Sequence, residues 1–233
     1  MKPTITFSTG AGMSAESGIT TFRDAGGLWE QYPVMQVASA DGFRRDPALI
    51  HRFYNERRHQ LVKAQPNAGH LGLKDMEKDF NVQIITQNVD DLHERAGSKN
   101  VLHLHGELMK VRAMDNPNLL FTLPDDNGGS LDTTPDTRID GHLVRPHIVF
   151  FQEAVPNIEA AIDMAANTDI FVVIGTSLAV YPAASLLNFV KPGTPVYYID
   201  PNPAPVPDWV NVIPMGASQG VAELRRRLAA DTH

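Results

Sequence analysis

The 233-residue chain contains no cysteine. That absence excludes disulfides, thiolate zinc sites, iron–sulfur clusters and a cysteine nucleophile. Positive charge is also scarce: 20 Lys and Arg stand against 27 Asp and Glu, a formal net charge of −7. A nucleic-acid footprint needs a basic face, so no nucleic-acid partner is expected. The basic stretch "ERRHQLVK" at 56–63 is the local exception. Long apolar runs are missing too. The most apolar one, "IFVVI" at 170–174, is far short of the roughly 20 residues that cross a bilayer. The opening "MKPTITFSTGAG" has no apolar core of a signal peptide. No membrane partner and a cytoplasmic location are the expectation. The residues speak to no oligomeric state.

The 42% of hydrophobic residues can build a core of ordinary size. The length suits one large domain, or one carrying a smaller module. Short β-branched runs recur at 4–9, 82–86, 101–104, 147–151, 170–175 and 196–200. Several are apolar on both faces, as strands of a covered parallel sheet are. Helical patterns lie at 47–64, 67–79, 157–167, 182–191 and 220–230. The alternation predicts an α/β fold: a doubly wound, Rossmann-like parallel sheet with a smaller inserted module. The division expected is a single catalytic domain over 1–233. Its large part comes from 1–23, 65–112 and 145–233, its small module from a helical insertion at 24–64 and a loop-like, cysteine-free stretch at 113–144. Irregular segments of that length are usually functional or disordered.

"STGAGMSAESGITTFR" (8–23) follows the first strand. Gly10 and Gly12 permit a sharp turn and close approach of a ligand, and Ser14 and Ser17 can cap a short helix whose first amides attract a pyrophosphate. Alone this is a weak signal, because the next glycine, Gly18, breaks the G-x-G-x-x-G spacing.

The longer string is more specific. "GAG-x-SAESGI-x-TFR" resembles the signature of the sirtuin family of NAD-dependent protein deacylases. "TQNVDDLHERAG" (86–97), "LHLHGEL" (102–108), "RPHIVFFQE" (145–153) and "GTSLAVYPAA" (175–184) resemble four further family motifs, in family order. The resemblance covers most of the chain outside 113–144. It implies NAD as cofactor and acylated-lysine proteins or peptides as partners. Gly10, Ala11, Gly12, Ser14 and Arg23, with Gly175, Thr176 and Ser177, would line the dinucleotide site. Ala11, Gly12, Arg23, Thr176 and Ser177 would contact its phosphates, and Phe22 would shield the reacting ribose. Arg23 has the alternative of a surface ion pair. Asn88 and Asp90 would hold the nicotinamide carboxamide, for which an amide and a carboxylate supply matching donors and acceptors, with Gln87 near the ribose. The same "NVDD" also suits a helix-capping turn.

The resemblance makes His105 the general base. An ordinary pKa near 6.5 lets it take a proton at neutral pH. In the family the acyl-lysine oxygen displaces nicotinamide, the histidine draws a proton from a ribose hydroxyl, and O-acyl-ADP-ribose leaves. His103, two residues earlier, reads as packing, as do His70 and His93.

Tyr54 and Arg57 lie at i and i+3 on a predicted helix, hence on one face. They resemble the Tyr-x-x-Arg pair of sirtuins that remove succinyl and malonyl groups, and Ala38 matches the small residue that widens their acyl pocket. A solvated basic helix with a packed tyrosine is the other reading. Val149, Phe150, Phe151 and Gln152, with Val180, would contact substrate.

Three departures stand out. Ala113 sits where the family's first zinc cysteine is expected, so no metal is expected and the 113–144 stretch should pack through Leu119, Leu120, Phe121 and Leu123. Gln152 replaces a glycine of the peptide-pairing segment. Asp200 stands where asparagine usually meets the adenosine, near a final loop at Ala217. The competing functions are a sirtuin-fold ADP-ribosyltransferase or NAD glycohydrolase, and a non-catalytic NAD-binding sensor.

Overall fold

The structure, a computed structural model, describes residues 2–20, 32–177 and 183–230. Six strands form one parallel sheet in the order β10-β9-β8-β1-β2-β3. They are β1 (Thr4–Thr9), β2 (Asn81–Thr86), β3 (Val101–His103), β8 (Ile170–Ile174), β9 (Val196–Ile199) and β10 (Val210–Ile213). β1 lies at the centre, pairing Thr9 with Thr86 on one side and with Ile174 on the other. The order reverses direction at β1, which is the doubly wound arrangement expected.

The two-sided burial of these strands follows from helices on both faces. On one face Ile5, Phe7, Ile84 and Ile199 pack with Leu73 and Val221, carried by α5 (Ala68–Met76) and α8 (Ala217–Ala230). On the other, Ile85, Phe171 and Tyr198 pack with Ala161, Ala165 and Leu186, from α7 (Ile158–Ala166) and a 3-10 segment, Ala183–Phe189. The helix expected over 182–191 is therefore a tighter, shorter turn where it is described. Asn67 caps α5 by accepting from the Gly69 and His70 amides, while His70 Nδ1 accepts from the Asn67 amide. This reciprocal cap satisfies donors that a helix start leaves open.

The small module combines helices and a four-stranded antiparallel sheet, β5-β4-β7-β6. Its strands are β4 (Gly106–Ala113), β5 (Leu120–Thr122), β6 (Arg138–Ile139) and β7 (His142–Ile148). The expectation of a loop at 113–144 is thus corrected: Leu120–Thr122, Arg138–Ile139 and the start of His142–Ile148 pair into a sheet that reaches beyond the stretch on both sides. "HIVFF" does not join the parallel sheet; His147 and Ile148 end β7, and Phe151 makes only an isolated bridge to Ser39. The helices are α2 (Val34–Val37), α3 (Ala40–Arg45) and α4 (Pro47–Leu61). Asp46 caps α4 by accepting from Leu49 N–H, and Pro47 opens it where no donor is needed.

No thiolate holds this module, and its residues do not fit a structural zinc. The site of Ala113 is filled instead: Ala113 packs with Val111, Phe121, Leu123, Ile139 and Val144. Leu119 is half-buried against them, whereas Leu120, expected inside, is exposed. A buried guanidinium ties the module to α4. Arg58 Nε donates to Leu108 O at 2.9 Å, and Nη1 to Asn55 Oδ1 at 2.7 Å and Leu131 O at 3.2 Å. His51 Nδ1 and Thr133 Oγ1, 2.8 Å apart, close the same seam. Among the described residues no cluster of three or more His, Cys, Asp or Glu is placed to hold a metal ion.

Candidate active site

The carboxyl ends of β1, β2, β3, β8 and β9 open on one cavity of about 1040 Å³, at the sheet edge where ligands bind in such folds. The loop after β1 brings Gly10, Ala11, Gly12 and Ser14 to its wall; that after β2 brings Gln87, Asn88 and Asp90; and that after β8 brings Gly175, Thr176 and Ser177. His105 and Asp200 line it too. From the module come Ala38, Tyr54, Arg57 and the segment Val149, Phe150, Phe151 and Gln152. This convergence follows from parallel strands, which all deliver their following loops to one edge.

Phe22, Arg23 and Val180 lie outside the described residues. Ala217 is buried and does not line the cavity, whereas its neighbour Gly216 does. Sequence reasoning missed Ile19, Gln60, Val155, Ile158 and Phe189 in the lining. They carry no chemical signature and reach the site only through packing.

The glycine loops touch each other backbone to backbone. A Cβ on Gly12 would lie 2.7 Å from Gly175 Cα, and Gly175 has φ +61, a conformation side chains disfavour. Gly10 N–H donates to Ile174 O and Gly12 N–H to Gly175 O. Ser14 was expected to cap the following helix, α1 (Gly12–Ala15). That is corrected: Ala11 is the N-cap and no side chain caps it. Ser14 Oγ is instead a hydrogen-bond node in the cavity wall. It donates to Asp90 Oδ2 at 2.9 Å and accepts from Asn88 Nδ2 at 3.2 Å, with His70 Nε2 at 3.4 Å. Ser17 Oγ likewise accepts from Asn67 Nδ2 rather than capping.

Burial pushes the Asp90 carboxyl upward, opposed by the Ser14 hydroxyl and the Leu92 amide. Asn88 Nδ2 also donates to Gly10 O at 3.0 Å, so the amide bridges the first two loops. His105 Nδ1–H donates to Gln87 O at 3.0 Å. That bond assigns the proton to Nδ1 and leaves the Nε2 lone pair as acceptor. Burial lowers the ring's pKa, partly offset by the Gln87 carbonyl, so the ring is neutral at pH 7. Such a ring can take a proton from a hydroxyl. The lining of small backbone turns, Thr and Ser hydroxyls, and a paired amide and carboxylate fits a dinucleotide ending in a carboxamide.

The side of the cavity lined by the small module is aromatic and cationic. Tyr54 stacks on Phe150, with centroids 6.0 Å apart at 25°, and burial raises its hydroxyl pKa. The Arg57 guanidinium lies 4.6 Å from the Phe53 centroid, and its Nη2 meets Glu56 at 3.2 Å. Its Nη1 is buried with no hydrogen-bond partner among the described residues. A partnerless buried cation atom costs free energy until an acceptor arrives. Beside it, Gln152 holds φ +77, the region that favours the glycine it replaces. Its amide offsets the strain by clamping Asp41: Nε2 donates to Oδ2 at 2.7 Å and Oε1 accepts from Asp41 N–H at 3.1 Å. Glu153 secures the same turn, accepting from Arg145 Nη1 at 2.7 Å and Phe150 N–H at 2.8 Å.

Comparisons with known proteins agree with this geometry. The Sir2 family description matches residues 10–182. The NAD-dependent protein deacylase of Bacteroides thetaiotaomicron is 54% identical over 226 residues, spanning 94% of this chain and 95% of its own. That of Helicobacter pylori is 47% identical over 223 residues, spanning 94% and 95%. Among solved structures, a Sir2 homologue in complex with NAD superposes with a TM-score of 0.84 at 36% identity, covering 100% of this chain and 91% of that one. A Sir2 protein bound to acetylated peptide gives 0.80 at 28% identity, covering 98% and 94%. The parallel sheet, the converging loops and these matches lead to one conclusion: the chain belongs to the Sir2 family.

Proposed function

We propose that this protein is an NAD-dependent protein-lysine deacylase that accepts acetyl groups and also succinyl or malonyl groups. The observation that carries the reaction is His105, whose bonded Nδ1 leaves Nε2 as a free acceptor in the cavity shared with Asn88 and Asp90. Bound NAD supplies an electrophilic ribose carbon once nicotinamide leaves, and a hydroxyl that becomes the acyl acceptor. In this reading the chain's own groups do the rest. Asn88 and Asp90 hold the carboxamide, the Gly10–Gly12 and Thr176–Ser177 turns hold the phosphates, and His105 withdraws the hydroxyl proton. Proton transfer of this kind is worth about 10²–10⁴ in rate.

The acidic acyl preference rests on Arg57, whose unpartnered Nη1 a terminal carboxylate would satisfy. Tyr54 stands one helical turn away with its hydroxyl kept protonated, hence a donor. The enzyme works without zinc, its module filled by apolar side chains instead. It acts in the cytoplasm, where metabolism resupplies a consumed dinucleotide. No described helix is long and apolar enough to cross a membrane.

The test is to incubate the protein with NAD and acetyl- or succinyl-lysine peptides and identify products by mass spectrometry. Free lysine peptide, nicotinamide and O-acyl-ADP-ribose are expected in equal amounts. Nicotinamide without acyl-ADP-ribose would point to NAD hydrolysis and sink the proposal.

A further inference from the structure

The loop after β2 is held carbonyl by carbonyl. Leu104 N–H donates to Thr86 O at 2.9 Å and Leu108 N–H to Val89 O at 2.7 Å. Between those backbone bonds, two imidazoles take the two remaining carbonyls. His105 Nδ1 donates to Gln87 O and His103 Nδ1 to Asn88 O, each at 3.0 Å. β3 ends at His103 and the chain bends through Leu104 and His105, so the two rings are turned apart and reach successive carbonyls of the facing loop.

His103 is buried and does not line the cavity. Its Nε2 meets Glu94 Oε1 at 2.8 Å. Both ring nitrogens therefore face acceptors, a carbonyl and a carboxylate, so the ring carries both protons. Burial pushes its pKa down; the Glu94 carboxylate, helped by Glu107 and the Asn88 carbonyl, more than offsets this and holds the ring above its ordinary value. A charged donor on a backbone carbonyl is a stronger, shorter-range constraint than a neutral one. The residue it holds, Asn88, sends its own side chain to Gly10 O and Ser14 Oγ.

We propose that His103, oriented by Glu94, is a positioning residue for the nicotinamide end of NAD: it fixes the Asn88 carbonyl and so sets the Asn88 and Asp90 side chains at the cavity. This rests on reading the cavity as the NAD site of a deacylase.

An asparagine amide reaches about as far from the backbone as imidazole Nδ1, and a glutamine amide about as far as Nε2. His103→Asn therefore keeps the bond to Asn88, while His103→Gln keeps only the bond to Glu94. NAD affinity is measured by calorimetry without peptide, alongside exchange of labelled nicotinamide and a melting curve for each variant. His103→Gln should weaken NAD binding at least about tenfold, the loss of one charge-assisted bond. His103→Asn should stay within about threefold of the unaltered protein. Glu94→Ala, at a position whose side chain is 39% exposed, should weaken binding about threefold or more, with its melting curve showing that the fold is kept. Equal losses in the Asn and Gln variants, or unchanged affinity in His103→Gln or Glu94→Ala, overturn the proposal. Failure of the unaltered protein to remove acyl groups defeats the deacylase reading alone, because the order of NAD affinities is read without acyl substrate.

Discussion

Replacing Arg57 with methionine tests the acyl clamp directly. The side chain is only 12% exposed, and its Nη1 is buried with no partner among the described residues. Nη2 and Nε already bond Glu56 at 3.2 Å and Gln60 at 3.3 Å, so Nη1 is the nitrogen left for a ligand. A charged hydrogen bond formed there contributes about 1.5–3 kcal/mol. At about 1.36 kcal/mol per tenfold, its loss lowers kcat/KM for a succinyl-lysine peptide by about 10- to 150-fold. An acetyl peptide of the same sequence makes no such bond, and methionine keeps the packing of the stem, so its kcat/KM should move less than about threefold. The variant should melt no lower than the parent, since an unsatisfied buried donor has been removed. The assay is the ratio of the two kcat/KM values. An unchanged ratio, or an acetyl loss as large as the succinyl loss, refutes the clamp. Tyr54→Phe preserves the stack on Phe150 and should cost succinyl removal less, about 2- to 10-fold, as for one neutral hydrogen bond.

His105→Ala should reduce deacylation by about 10²–10⁴ while NAD still binds by calorimetry; full activity in the variant would remove its role as base. Because burial depresses the His105 pKa, the acid limb of the rate should lie below the ordinary 6.5, and a limb above it would contradict the assigned environment. Stability should fall on acidification. Burial lowers His51 and His70 to about 4, so the unfolded chain binds their protons first. Their contribution is full above pH 6.5 and is lost as pH falls from there to 4, about 3 kcal/mol each. Urea midpoints equal at pH 7 and pH 4.5 would refute this. EDTA should leave melting temperature and activity unchanged, whereas Arg58→Met should cost about 3 kcal/mol by stranding the Leu108 and Leu131 carbonyls; the reverse pattern would reinstate a metal.

The parallel sheet was legible because its strands are short apolar runs bounded by turn residues, and β1 to β3, β8 and β9 stand within a residue or two of their expected places. β10 escaped because "VNVI" is brief and carries Asn211, whose side chain bonds back to Val196 O. The small sheet escaped for a different reason. Its strands are half-buried and alternate, and an abundance of Asp, Gly and Pro between Phe121 and Val144 reads as loop while the apolar residues sit two apart. The cavity residues were legible as chemistry at strand ends. What they bond was not, since partners such as Ser14 and Asp90 lie 76 residues apart in sequence. His103 was read as packing for that reason: its acceptors belong to other segments.

The missing cysteines bear on specificity as well as stability. Tyr54 and Arg58 lie at i and i+4 on α4, with Arg57 between them, so one helical turn carries both the cavity-lining side chains and the lock on the module. The lock holds α4 through Leu108, a residue that also donates to Val89 O in the loop beside Asn88. Here the guanidinium fixes α4 to β4 and to the Leu131–Thr133 turn at once. Loosening the module should therefore shift Tyr54 and Arg57 before it disturbs the Gly10–Gly12 turn, which is anchored to β8 across the sheet. In Arg58→Met, held below its melting temperature, KM for a succinyl peptide should rise while the affinity for NAD stays within about threefold. A matching loss of NAD affinity would refute this order and show that loosening also passes through Leu108 and Val89 to the dinucleotide site.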